Sequence, residues 1–183
     1  MIRFEKKHIP NYLSVFRLLL IPVFLYFYFA RRDVTRAAIT FITAGATDVL
    51  DGYLARHNGW ITNLGKILDP LADKCMQITV LISLSLDKII PWCITGILIA
   101  KELLILLGAT RLIKKAHFYV QSGWYGKAAV VFFYAVVIVL MLVKGLSETL
   151  RVVLSSFLIV AMLSALLMYY VKVYRKKSVK LSK

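Results

Sequence analysis

Apolar residues in this chain fall into long runs separated by short clusters of charge. A helix needs roughly 20 apolar residues to cross the hydrocarbon core of a bilayer. Six windows meet that need, at 11–30, 34–56, 67–86, 90–113, 125–144 and 149–172. Their connections are short, with no Ser/Gly linker, internal repeat or low-complexity tract between them. The pattern predicts an all-α, polytopic membrane protein with six transmembrane helices, forming a single domain over residues 1–183. Residues 1–10 are basic and short, which predicts an interfacial lead-in to the first span. Pro22 predicts a kink in the first helix, and Pro91 suits the first turn of the fourth.

Composition sharpens this picture. Of 183 residues, 60% are hydrophobic and 18% charged, against roughly 25% charged in soluble domains. A water-soluble globule of this size could not hide so much apolar surface, and disorder is excluded for the same reason. The N-terminal run is not a cleaved signal, because Arg17 interrupts it and no small-residue cleavage pattern follows. Cys75 and Cys93 lie in apolar stretches without CxxC spacing, so neither a disulfide nor a thiolate metal site is expected.

The net charge is +15, from 24 Lys and Arg against 9 Asp and Glu. The basic residues sit between apolar runs, which favours anionic lipid headgroups over nucleic acid as their partner. An even number of spans leaves both termini on one side. That side carries Arg3, Lys6, Lys7, Arg56, Lys66, Arg111, Lys114, Lys115, Lys127 and the basic C-terminal tail from Lys172 onward. The other side holds only Arg31, Arg32, Arg36, Lys88, Lys144 and Arg151. The excess places both termini in the cytoplasm of a cell membrane.

The acidic residues carry the candidate chemistry. Four of the six aspartates, Asp48, Asp51, Asp69 and Asp73, fall within 26 residues, on segments read as membrane helices. An ionised carboxylate at the bilayer centre costs at least about 2.5 kcal/mol. Asp48 and Asp51 share one helix face, and Asp69 and Asp73 share one face of the next. A short cytoplasmic turn joins those helices, so the two pairs can meet. Four facing carboxylates need positive charge between them, and an all-oxygen donor set selects Mg²⁺, Mn²⁺ or Ca²⁺ over zinc. Proton relay, ion transport and salt bridges to Lys74 or Lys101 are the alternatives. Asp69, which precedes Pro70, also reads as a simple helix N-cap. Beside the acids, Gly45, Gly52 and Ala55 make a small-residue stripe, either for close helix packing or for a bulky ligand with Arg56 on its phosphate.

Asp51-Gly52-Tyr53-Leu54-Ala55-Arg56, then Gly65, Asp69 and Asp73, matches D-G-x2-A-R-x8-G-x3-D-x3-D at every fixed position. The chain thereby resembles the CDP-alcohol phosphatidyltransferases, and Asp48 matches that family's usual preceding aspartate. Members join a CDP-linked lipid to an alcohol and release CMP. The resemblance implies two Mg²⁺ or Mn²⁺ ions held by Asp48, Asp51, Asp69 and Asp73, with Asp73 as general base. It also implies that Gly52, Ala55, Arg56 and Gly65 lie along the CDP moiety, and that the protein is a homodimer.

Within the family, Pro10-Asn11-Tyr12-Leu13-Ser14-Val15-Phe16-Arg17 and Leu68-Asp69-Pro70-Leu71-Ala72-Asp73-Lys74 resemble stretches of phosphatidylglycerophosphate synthases. This implies CDP-diacylglycerol and glycerol 3-phosphate as substrates, with phosphatidylglycerophosphate as product. Cardiolipin synthases share both stretches and are the alternative; a non-enzymatic ion pathway is a distant third. The chain has Lys101-Glu102 and Gly126-Lys127-Ala128-Ala129 where phosphatidylglycerophosphate synthases often carry Arg-Glu and Gly-Lys-x-Lys-Thr. The cations between helices four and five make Arg111 and Lys127 the candidate ligands of the acceptor phosphate.

Overall fold

The computed structural model describes residues 9–60, 65–116, 124–143 and 145–181, without the side chains of Arg56, Lys66, Ile67, residues 105–125, Lys127 and residues 169–181. The described residues form six helices and no strand. They are α1 (Ile9–Leu25, continued by a π-helical turn over Tyr26–Ala30), α2 (Val34–His57), α3 (Gly65–Leu86), α4 (Trp92–Ala116), α5 (Trp124–Leu142) and α6 (Glu148–Leu181). Each coincides with one apolar window of the sequence. The interfacial segment expected before the first span falls mostly on residues 1–8, outside the described residues.

Local chemistry explains most boundaries. Asp33 caps α2, its side chain accepting from the Arg36 backbone N–H at 3.0 Å. Pro91 stands just before α4 rather than in its first turn, and its carbonyl accepts from the N–H groups of Ile94 and Thr95. Pro22 lies inside α1, where its ring removes one backbone donor, and the helix widens to the π form one turn later. The N-cap reading of Asp69 is corrected: α3 starts at Gly65, so Asp69 and Pro70 are already inside the helix. The end of α2 and the start of α3 therefore bring both acidic pairs to the same end of their helices.

The chain divides into two compact units, Met1–Asp87 and Lys88–Lys183. In the first, α1 packs along both α2 and α3, which touch each other less. Its buried stripe runs Ser14, Arg17, Leu20, Phe24 and Tyr28, a three-to-four residue spacing that keeps one helix face inward. Ala37, Phe41 and Ala44 from α2 and Ala72, Met76, Val80 and Leu84 from α3 complete that interior. Beyond the far end of α1, Arg32 pairs with Asp87 at 3.3 Å. In the second unit, α6 packs against α5 and α4, burying Leu98, Phe133, Val137, Leu140 and Leu158.

Among the described residues, many large apolar side chains are exposed while several charges are buried, a pattern unlike that of a soluble protein. Leu19, Ile39, Val49, Val131, Phe157 and Leu167 are more than half exposed, whereas Arg17, Asp51, Lys101 and Glu102 are buried. Among the described residues, two segments are long and apolar enough to cross a membrane, Ile9–Ala30 and Glu148–Met168. At 1.5 Å per residue each is about 30 Å long, the thickness of a hydrocarbon core.

Close packing of α2 should tolerate no added volume at its buried alanines. Ala44→Leu is expected to cost about 1–3 kcal/mol through overpacking, read as a lower Tm in detergent. Val49→Leu, on the exposed face, should leave Tm unchanged.

Candidate active site

The acidic pairs of α2 and α3 converge on an arginine of α1. Arg17 is fully buried, and its guanidinium reaches three carboxylates at once. Its Nη1 lies 2.9 Å from Asp48 Oδ1 and 3.2 Å from Asp69 Oδ1. The same nitrogen donates to the Asp69 backbone carbonyl at 3.5 Å, and Nη2 donates to Asp51 Oδ2. α1 packs along both α2 and α3, which lets one of its side chains reach carboxylates on both. Helix geometry puts Asp51 about 9 Å from the end of α2 and Asp69 about 6 Å from the start of α3. These two thus sit one to two turns inside the helix ends.

One oxygen from each of Asp48, Asp51 and Asp69 lies within 4.8 Å of the others. That spread suits ligands around one divalent ion, since oxygens opposite each other across such an ion are about 4–5 Å apart. The remaining valence points the same way. Asp51 Oδ1 is buried without a hydrogen-bond partner among the described residues. Among the described residues, Arg17 and Lys74 are the cations in contact with the four aspartates. The donor set is all oxygen, which fits a hard divalent cation.

Asp73 stands apart from that trio. It is buried on α3, where Gln77 Nε2 donates to both carboxylate oxygens at 3.0 Å and Lys74 Nζ lies 3.2 Å from Oδ2. Lys74 also donates to Gln77 Oε1 at 3.2 Å, closing a small network on one helix face. The salt bridge to Lys74 weighed from sequence is thus present, on Asp73. Lys101 pairs instead with its neighbour Glu102, and its Nζ lies 3.3 Å from Met162 Sδ.

Gly52 and Ala55 are half-buried on α2, and Gly65 opens α3. Arg56 is on α2, Arg111 on α4 and Lys127 on α5, with side chains outside the described set. Two residues of the site were not picked out by spacing. Arg17 was visible only as a charge interrupting an apolar run, although an arginine inside a membrane helix is itself a functional signal. Gln77 is one turn beyond Asp73, the ordinary spacing for a side-chain hydrogen bond on a helix.

The model of the CDP-alcohol phosphatidyltransferase family matches residues 7–174 of this chain. A CDP-diacylglycerol–glycerol-3-phosphate 3-phosphatidyltransferase of Rickettsia typhi is 37% identical over 89 residues, covering 45% of this chain and 50% of that protein. The enzyme of the same name from Aquifex aeolicus is 34% identical over 128 residues, 68% of this chain and 70% of its own. A cardiolipin synthase (CMP-forming) of Streptomyces coelicolor is 33% identical over 126 residues, 66% of this chain and 59% of its own. The chain spans about half the length of the Rickettsia relatives it matches. With the match running from residue 7 to residue 174, across every helix that carries the aspartate cluster, the chain belongs to the CDP-alcohol phosphatidyltransferase family.

Proposed function

We propose that this protein transfers the phosphatidyl group of CDP-diacylglycerol to glycerol 3-phosphate, forming phosphatidylglycerophosphate and releasing CMP. The observation that carries the reading is the convergence of Asp48, Asp51 and Asp69 within 4.8 Å, at positions of the D-G-x2-A-R motif and its flanks. The names of the Rickettsia and Aquifex relatives support the choice of substrates.

In this reading Asp48, Asp51, Asp69 and Asp73 hold two Mg²⁺ or Mn²⁺ ions, which would supply charge neutralisation of the pyrophosphate. Asp73 takes the proton of the acceptor hydroxyl as that oxygen bonds to the phosphorus bearing diacylglycerol, and the P–O bond to CMP breaks. Gln77 aims the Asp73 carboxylate through both oxygens, and Lys74 holds one of them. Carboxylates are weak bases, so positioning of the acceptor hydroxyl supplies much of the rate. Gly52, Ala55 and Gly65 leave room for the CDP moiety, and Arg56 takes its phosphate. Arg111 and Lys127 hold the phosphate of the acceptor.

All six helices span the cytoplasmic membrane in this reading, with both termini and the site on the cytoplasmic side, and the two compact units work as one domain in a homodimer. The aromatic turn of α1 supports such a boundary. Arg31, Arg32 and Arg36 lie 5.9, 6.0 and 5.8 Å from the ring centres of Tyr26, Phe29 and Phe27, a cation and aromatic belt suited to a headgroup layer. Cardiolipin synthesis from phosphatidylglycerol is the second reading, supported by the Streptomyces relative and by Ala128 and Ala129 following Lys127.

A lipid-product assay with purified protein decides between them. Glycerol 3-phosphate should be consumed with release of CMP; use of phosphatidylglycerol instead would make the protein a cardiolipin synthase. Turnover should vanish in excess chelator and return with Mg²⁺ or Mn²⁺, whereas full turnover in chelator would end the two-ion reading. Asp73→Asn should lower kcat by about 10²-fold or more with a smaller change in binding of CDP-diacylglycerol; equal losses would make Asp73 chiefly a ligand. Arg111→Ala or Lys127→Ala should raise KM for glycerol 3-phosphate about tenfold, the worth of one charge-assisted contact, and leave KM for CDP-diacylglycerol nearly unchanged.

A further inference from the structure

Arg17 takes part in none of the steps above, yet it is the most deeply enclosed charge of the site. Its two terminal nitrogens engage oxygens of Asp48, Asp51 and Asp69, the same three residues whose oxygens converge within 4.8 Å. A guanidinium spread over three carboxylates does for this cluster what a divalent ion does: it cancels their mutual repulsion and ties α2 to α3. Its fit is imperfect in a telling way. Asp51 Oδ1 and Arg17 Nε are both buried without a hydrogen-bond partner among the described residues. A single positive charge also leaves the trio net negative.

We propose that Arg17 is a built-in counter-cation of the metal centre, which holds the three carboxylates together before the metal arrives and competes with it for their oxygens. This inference rests on the metal reading of the site given above. Two physical consequences follow. Charge at position 17 must weaken divalent-cation affinity, because a guanidinium among the ligands repels the incoming ion and engages its donors. The same charge must stabilise the metal-free protein, because three clustered carboxylates, with Asp51 buried and Asp48 and Asp69 partly exposed, repel one another without a cation between them. A residue that merely filled space, or that oriented the carboxylates for the metal, would show the opposite effect on affinity or none.

The test measures Mn²⁺ binding to the full chain in detergent, by the electron paramagnetic resonance signal of free Mn²⁺, alongside Tm in chelator and in saturating Mn²⁺. Three proteins are compared: the unaltered chain, Arg17→Gln and Arg17→Lys. Arg17→Gln should bind Mn²⁺ at least about tenfold more tightly, since a unit charge a few ångströms from a divalent ion is worth that much even at high dielectric. It should also have a lower Tm in chelator and a larger rise in Tm on adding Mn²⁺ than the unaltered chain. Arg17→Lys keeps the charge, folds more readily without metal, and should bind Mn²⁺ within about threefold of the unaltered chain. Unchanged or weaker Mn²⁺ binding by Arg17→Gln, with the unaltered chain still binding, overturns the competition and leaves the metal reading intact. Absence of binding to all three proteins overturns both.

Discussion

Arg17 puts a full positive charge at an enclosed point of α1, and the carboxylates of Asp48, Asp51 and Asp69 make that placement tolerable. Neither side of this network stands alone in an apolar bundle. Removing one partner of a buried ion pair typically costs about 3–5 kcal/mol, because the other is left charged and unsolvated. The arrangement of the first three helices is bound to it: α1 must pack along both α2 and α3, and the three must be in axial register to within a helical turn. The apolar stripe of Leu20, Phe24 and Tyr28 then sets the remaining contacts of α1.

The same constraint shapes the chemistry available to the site. Its carboxylates lie about one to two and a half turns inside the helix ends, with Asp51 buried and Asp48 and Asp69 partly open. Such surroundings magnify electrostatic interaction with a pyrophosphate and restrict the positions a ligand can take. Division of labour among the aspartates follows from their neighbours. Asp48, Asp51 and Asp69 share a cation, while Asp73 is tied to Gln77 and Lys74 on its own helix. One family motif thus holds carboxylates in two different environments.

The second unit carries its own buried charge. Lys101 and Glu102 are adjacent on α4, and Lys101 reaches Met162 on α6 across the helix interface. An ammonium inside an apolar unit needs its carboxylate close at hand, and here the two are neighbours in sequence. In the first unit the charges of the cluster come from three different helices, so their pairing depends on folding.

The amino-acid sequence by itself determined the helices, their order and the two acidic pairs on α2 and α3. Apolar runs of about twenty residues predicted all six helices to within a few positions, apart from the longer C-terminal extension of α6, because burial in an apolar medium leaves a backbone few alternatives to helix. Spacing on a helix face also placed Asp48 with Asp51 and Asp69 with Asp73. It could not show which cation meets them. Arg17 lies 31 residues before the first of these acids, and no periodicity links it to them. Nor could spacing separate Asp73 from the other three, since all four fit one motif. Those outcomes depend on how α1 docks against α2 and α3, and on Gln77 being near enough to claim both oxygens of Asp73 first. Contacts within a helix are written in residue spacing, whereas contacts between helices depend on packing, which only the tertiary structure decides.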